Sequence, residues 1–232
     1  MRGVSTQGVA TRFGEVVEAS IASVVGQCHR LYKAPPLGTL VRAGDDVYGV
    51  VSGVATASLD PTRRVIARGA DAASEAEVYA EHPQLERLLR TDVTLAIVGH
   101  REGGEVRQYL PPLPPRIHTF LYVCAADEVR MFMSRHDHVA LLVRAAHPAA
   151  DDVLAAVLRL ASAAFDDPMA YLVEASRAVA VLLACQKDGL KTRNRDVYAN
   201  GTRYSRGRAY YFRAYRVLQR VTRTELRAPA YR

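Results

Sequence analysis

Between residues 13 and 58 the apolar positions fall in short β-branched runs, Val16 and Val17, Val24 and Val25, Val50 and Val51 among them, separated by glycines at 14, 26, 38, 44, 49 and 53. Glycine tolerates positive φ and turns corners, so this spacing predicts four or five short strands in a strongly bent antiparallel sheet. Asp45 and Asp46 after Gly44 predict a tight hairpin turn, and Pro35 with Pro36 predicts a loop that cannot continue a ladder. Residues 47–54 form an apolar strand in which Gly49 and Gly53 permit sharp coiling.

Further along, Pro61 breaks the pattern and residues 63–67 predict one more short strand. Residues 70–81 mix small and acidic side chains, as a loop or a weakly patterned helix does. An inserted helix is predicted over 83–90, with Pro83 at its first position and Leu85, Leu88 and Leu89 on one face. Residues 92–99 predict a strand, Glu102, Gly103 and Gly104 a hairpin turn, and 105–110 the return strand. The prolines at 111, 112, 114 and 115 stiffen the chain toward polyproline II. Such a run serves either as a ligand for an aromatic groove or as a rigid crossing between strands. The crossing is favoured, because 116–123 resumes at once as a buried strand.

After that the period changes. Residues 126–133 predict a helix (Val129, Phe132 and Met133 inward), 138–145 a strand, and Asp151 and Asp152 open a helix striped by Val153, Ala156, Val157, Leu160 and Ala164. A further helix is predicted from about 169 to 187, and 189–201 reads as a polar loop. A last helix follows from about 204 to 226, with Tyr210, Ala214, Val217 and Val221 on one face and Arg213, Arg216, Arg220, Arg223 and Arg227 on the next. The expectation is an α+β chain: a small closed antiparallel β-barrel over 12–125 with an inserted helix near 83–90, then a mainly α-helical region over 126–232 with a basic last helix.

Three stretches, Gly14-Glu15-Val16-Val17, Leu37-Gly38-Thr39-Leu40-Val41 and Val47-Tyr48-Gly49-Val50-Val51, together resemble the HAS barrel. That small barrel opens the HerA family of DNA-translocating ATPases and is related to the N-terminal barrel of the rotary ATP synthase catalytic subunits. The resemblance runs over roughly residues 13–123, and the proline run followed by Ile117 and His118 suits the family near the barrel's end. Other small barrels of SH3-like or OB type share the same punctuation and stay open as alternatives. In HerA proteins the barrel lies on one face of a hexameric ring and receives the NurA nuclease during DNA-end processing. The resemblance therefore implies a nuclease or ATPase of a DNA-processing complex as partner, and a homo-oligomer as an expected assembly.

Composition narrows the chemistry. The chain has 232 residues, 49% of them apolar, which is ample for a packed core. Cys28, Cys124 and Cys185 show no paired spacing, so a disulfide framework is not expected and the cytoplasm, here of a bacterial cell, is the natural compartment. The longest uninterrupted apolar run, 178–185, is too short to span a bilayer, so no membrane role is expected. Of the 31 basic residues only Lys33, Lys187 and Lys191 are lysine, a bias that weakens any inference from arginine identity alone. The net charge of +7 is concentrated at the end: from residue 187 onward 13 Lys/Arg face three acids.

Nowhere does Lys follow Gly, so the phosphate loop of the HerA ATPase domain is missing, and no G-x-S-x-G, H-E-x-x-H or G-x-G-x-x-G motif occurs. On an extended segment His136 and His138 would point the same way and could share a metal ion, with His100, His118 or Glu128 completing the shell of a metal-dependent enzyme. The favoured expectation is instead a non-catalytic docking module without a cofactor. Its interacting residues would be Arg213, Arg216, Arg220, Arg223 and Arg227 with Tyr211 and Tyr215, facing either a protein partner or nucleic acid.

Overall fold

A computed structural model describes residues 10–144 and 149–191. Seven strands, β1 (Thr11–Ala19), β2 (Ser23–Cys28), β3 (Leu40–Ala43), β4 (Val47–Ser58), β5 (Leu89–Glu102), β6 (Glu105–Arg107) and β7 (Phe120–Val123), pair antiparallel in the order β2-β1-β7-β3-β4-β5-β6. The order returns on itself, because β2 also pairs with β5 from Ser23↔Ala96 to Gln27↔Asp92. Six strands thus form a ring, and β6 hangs on β5 as a hairpin.

The ring explains the unbroken apolar run in β4. Val47 and Val51 face an inner cluster with Val16, Val24, Val41, Val93, Leu95, Ile97 and Leu121, whereas Tyr48 and Val50 belong to an outer cluster with Phe132, Leu142, Leu154 and Leu158. A strand covered on both sides has no solvent face to mark with polar residues. Register shifts at Tyr48/Gly49 and Val51/Gly53 bend it. At roughly 1.5–3 kcal/mol for each large side chain fully buried, the inner and outer clusters supply most of what holds the sheet together.

The outer cluster is covered by helices α3 (Ala126–Met133), α4 (Val139–Arg144), α5 (Ala150–Ser162) and α6 (Pro168–Lys191), while α1 (Glu75–Glu81) and α2 (Leu85–Leu88) lie between β4 and β5 in the chain. Local rules set the starts. The Ser74 hydroxyl accepts from the Glu77 N–H at 3.3 Å and the Ala73 N–H donates to the Glu77 carboxylate at 2.5 Å, so both ends of the first turn of α1 are tied. Pro168 begins α6, and Asp167 accepts from the Ala170 N–H at 2.9 Å.

Several sequence expectations are corrected here. Residues 139–144 are helix, not strand: the same apolar run buries Val139, Leu142 and Val143 at helical spacing, and so short a run does not separate the two periods. Residues 63–67 form no strand. The helix expected over 83–90 is one turn, because Leu89 and Arg90 pair with Ser58 and Ala57 at the start of β5. The strand expected over 116–123 begins only at Phe120, since Thr119 N–H donates back to Arg116 O and His118 sits at φ 66°. The return strand stops at Arg107, where Gln108 turns into the core. The prolines do carry the chain from β6 to β7, yet the run bends at Pro112 and Leu113 instead of staying straight. Helix α6 continues through Lys191, into the expected loop.

The glycines expected to turn corners divide into different jobs. Gly14 lies inside β1, where a Cβ would stand 2.4 Å from Gln27 O of the paired strand. Gly38 has φ +86°, its N–H donates to Val51 O, and a Cβ there would meet the α5 backbone at Ala156 and Val157, 2.6 Å away. Gly38→Ala therefore combines a left-handed backbone with overpacking, each costing ~1–3 kcal/mol. Chemical denaturation should show the variant destabilised by about 3 kcal/mol with an unchanged m-value, and a loss under about 0.5 kcal/mol would contradict this packing.

Candidate functional site

A half-buried polar cluster lies where β3, β4, β5 and α3 meet, around the buried Tyr48. Glu128, in the first turn of α3, accepts from Arg42 Nε and from the Tyr48 hydroxyl, both at 2.9 Å, and Arg101 donates to the Tyr48 oxygen at 2.8 Å. Arg42 also donates to Asp45 at 2.9 Å and to Gly44 O, and its guanidinium lies 5.3 Å from the centre of the Tyr122 ring. Burial, reinforced by the Glu128 carboxylate, pushes the Tyr48 phenol and the Cys124 thiol well above their ordinary values. These are groups locked in one protonation state, suited to bracing helix against sheet. Beside them opens a cleft of about 480 Å³ between the β3–β4 turn, Arg101 and the proline run.

The histidine pair has a different geometry from the extended one expected. His136 and His138 flank the entry to α4, with ring centres 6.4 Å apart. Gln108 dictates the state of His138: its amide nitrogen donates to Phe132 O at 2.5 Å and to Arg135 O at 3.2 Å, so its oxygen is the acceptor for the His138 backbone N–H and for Nδ1. The Nε2 of His138, Nδ1 of His136 and the Tyr171 hydroxyl are buried without a partner among the described residues. His100, His118 and Glu128 are engaged elsewhere: His100 with Tyr109 O at 3.2 Å, His118 with Glu15 at 3.1 Å, Glu128 as above. Among the described residues no group of three or more His, Cys, Asp or Glu side chains is placed to hold a metal ion, so a shared shell does not assemble.

Sequence reasoning missed a third place. Past the reach of β3, β4 stays paired with β5 from Gly53↔Thr94 to Ser58↔Leu89, and beyond Asp92, where the β2 pairing ends, the two strands run on alone as an arm. At its tip a groove of about 650 Å³ is lined by Leu59, Val65, Ile66, Leu85, Leu88 and Leu89, with Arg63, Arg64, Arg68 and Asp60 at the rim. Val65 and Ile66 are 60% and 70% exposed, unusual for β-branched residues side by side. The signal was in the sequence: Arg63 and Arg64 are followed by the short apolar run Val65, Ile66 and Ala67, which suits a strand, but among the described residues no strand pairs with it.

Arg213, Arg216, Arg220, Arg223, Arg227, Tyr211 and Tyr215 all lie outside the described residues. Among the described residues no helix is long and apolar enough to cross a membrane. A scan against protein-family models found no match, and neither did a search of curated proteins.

The His138 environment has a consequence in solution. Burial, with His136 adding to it, pushes the His138 imidazole down to about 4, and burial also lowers His136 against the pull of Glu174 and Asp137. Unfolded histidine binds its proton near pH 6.5, so between about 6.5 and 4 the unfolded chain holds more protons and stability falls as pH falls. Stability should be flat just above pH 7 and drop between pH 6.5 and 5 at up to ~1.4 kcal/mol per unit for one proton. His138→Gln should flatten that slope in denaturant titrations at stepped pH, and an unchanged slope would remove His138 as its source.

Proposed function

We propose that this chain is a non-catalytic docking module, a HAS-like closed β-barrel with a helical flank that receives a nuclease or ATPase of a DNA-end-processing complex. The reading is carried by the β4–β5 arm, which leaves the ring and ends in exposed apolar side chains. Large apolar residues without cover are the usual mark of a surface that another macromolecule completes. Kinship with the HAS barrel is supported by a ring of six strands that the β2–β5 pairing brings round on itself, and by the glycine-punctuated valine strands that build it. The inward residues fill the ring, as in barrels of this size. The polar cluster around Glu128 then acts as a brace that fixes the helical flank on the sheet.

Affinity purification of the tagged chain from its native cell tests this. A nuclease or a translocating ATPase should come with it and be lost from a folded Val65→Asp, Ile66→Asp double variant. Recovery of neither class, or equal recovery by the variant, contradicts the proposal.

A second reading is favoured by one feature, the segregation of charge: residues 192–232 hold 11 arginines against Asp196 and Glu225. In it the last segment binds nucleic acid through Arg213, Arg216, Arg220, Arg223 and Arg227, with Tyr211 and Tyr215 stacking on unpaired bases. Affinity for single-stranded DNA should then fall steeply with salt and largely vanish when Arg213, Arg216, Arg220 and Arg223 are changed to Glu. Binding that is absent, or indifferent to salt, sinks this reading.

A further inference from the structure

Resting on the docking reading, we infer what the arm receives: an extended, acidic-ended apolar segment of a different protein, which adds as a strand to the free edge of β4 and sets its apolar side chains in the groove at the tip.

The edge comes first. β3 pairs with β4 only as far as Leu40↔Val50, and the Gly38 and Thr39 loop takes the backbone of Val51. From Gly53 to Ser58, β4 pairs with β5 alone, and its outward N–H and C=O groups meet no backbone partner among the described residues. Free edges are normally blunted by charge, proline or a covering segment. The six residues here, Gly53, Val54, Ala55, Thr56, Ala57 and Ser58, contain neither charge nor proline, and residues 54–57 are exposed. Unpaired backbone donors and acceptors select an extended ligand over a helical one, whose backbone groups are already spent.

Charge then selects the partner. Asp60 is paired with Arg63 at 3.4 Å, which leaves Arg64 and Arg68 at the rim without an ion pair among the described residues. A segment bearing carboxylates on either side of its apolar residues satisfies groove and rim together. A second copy of this chain meeting across the same edge would set arginine rim against arginine rim. The segments of this sequence outside the described residues carry the wrong sign too: residues 1–9 hold Arg2 and no acid, and residues 192–232 are strongly basic. The occupant is thus another protein.

Fluorescence anisotropy on the full chain decides it, using three labelled twelve-residue synthetic peptides that share an alternating valine–threonine centre. One ends in glutamate pairs, one in lysine pairs, and one has glutamate ends with proline at its centre. The glutamate peptide should bind at least about tenfold more tightly than the lysine peptide, and the proline peptide, short of a backbone donor, should bind poorly. Arg64→Glu with Arg68→Glu, which touches only exposed side chains, should reverse the preference, and circular dichroism confirms that the variant is folded. Equal binding of glutamate and lysine ends overturns the acidic partner while leaving docking at the arm intact. Undiminished binding of the proline peptide overturns strand addition. Absence of binding by all three overturns the whole inference, with the docking reading still judged separately by co-purification. A concentration-dependent dimer in light scattering that the glutamate peptide fails to disperse assigns the edge to a second copy and overturns it as well.

Discussion

Everything in this fold depends on the pairing of β2 with β5. Without it, β1, β7, β3, β4 and β5 are an ordinary antiparallel sheet with two open edges, and Val16, Val24, Val93, Leu95 and Leu121 have no common interior to fill. With it, the sheet curls until its inner faces meet, and Gly14 in β1 lets backbones approach where a side chain would strike Gln27 O. Most strand edges are then consumed in the ring, and among the described residues β6 and the outer half of β4 keep an edge that meets no second strand.

That closure also orders the outer face. The ring turns Leu40, Tyr48, Val50 and Val98 outward, where α3, α4 and α5 bury them, so sheet and helices share one outer cluster. The two halves are joined at polar points as well as apolar ones. Glu128 couples the first turn of α3 to Arg42 and Tyr48, and Gln108 couples the end of β6 to Phe132 O, Arg135 O and His138. Gln108 is buried, where an unmet partner costs ~1–3 kcal/mol, and Glu128 and Arg42 are half-buried, so these contacts specify position more than they add net stability.

How far the sequence carried varies with the kind of information each element needs. The hairpin at Asp45 and Asp46, the turn at Gly103 and Gly104, and helices α3 and α5 were legible, because turn chemistry and helical period are local. Val139 to Arg144 was misread because six residues of apolar run fit either period, and the contact made at the entry to the helix, from the His138 N–H to Gln108, spans 30 residues of chain. Gly14 and Gly38 carried a true signal of strong curvature but the reason at Gly14 is a neighbouring backbone, which no local pattern contains. The groove at the arm tip was invisible for the same reason: Val65 and Ile66 look like a buried strand until the absence of a partner strand among the described residues is known. The histidine pair was expected on an extended segment, whereas His136 and His138 belong to a turn before α4, with His138 Nδ1 against Gln108 and its Nε2 without a partner among the described residues.

Native-state hydrogen exchange on the free chain bears most directly on a ring that is paired at β2–β5 and leaves β4 with an open end. Amides of Val24–Gly26 and Val93–Leu95 should exchange near the global unfolding rate, while alternate amides between Gly53 and Ser58, those turned away from β5, exchange orders of magnitude faster. Rapid exchange across β2 and its partner residues in β5 would mean the ring is not held there, and uniform protection of 53–58 would mean that its edge is already covered.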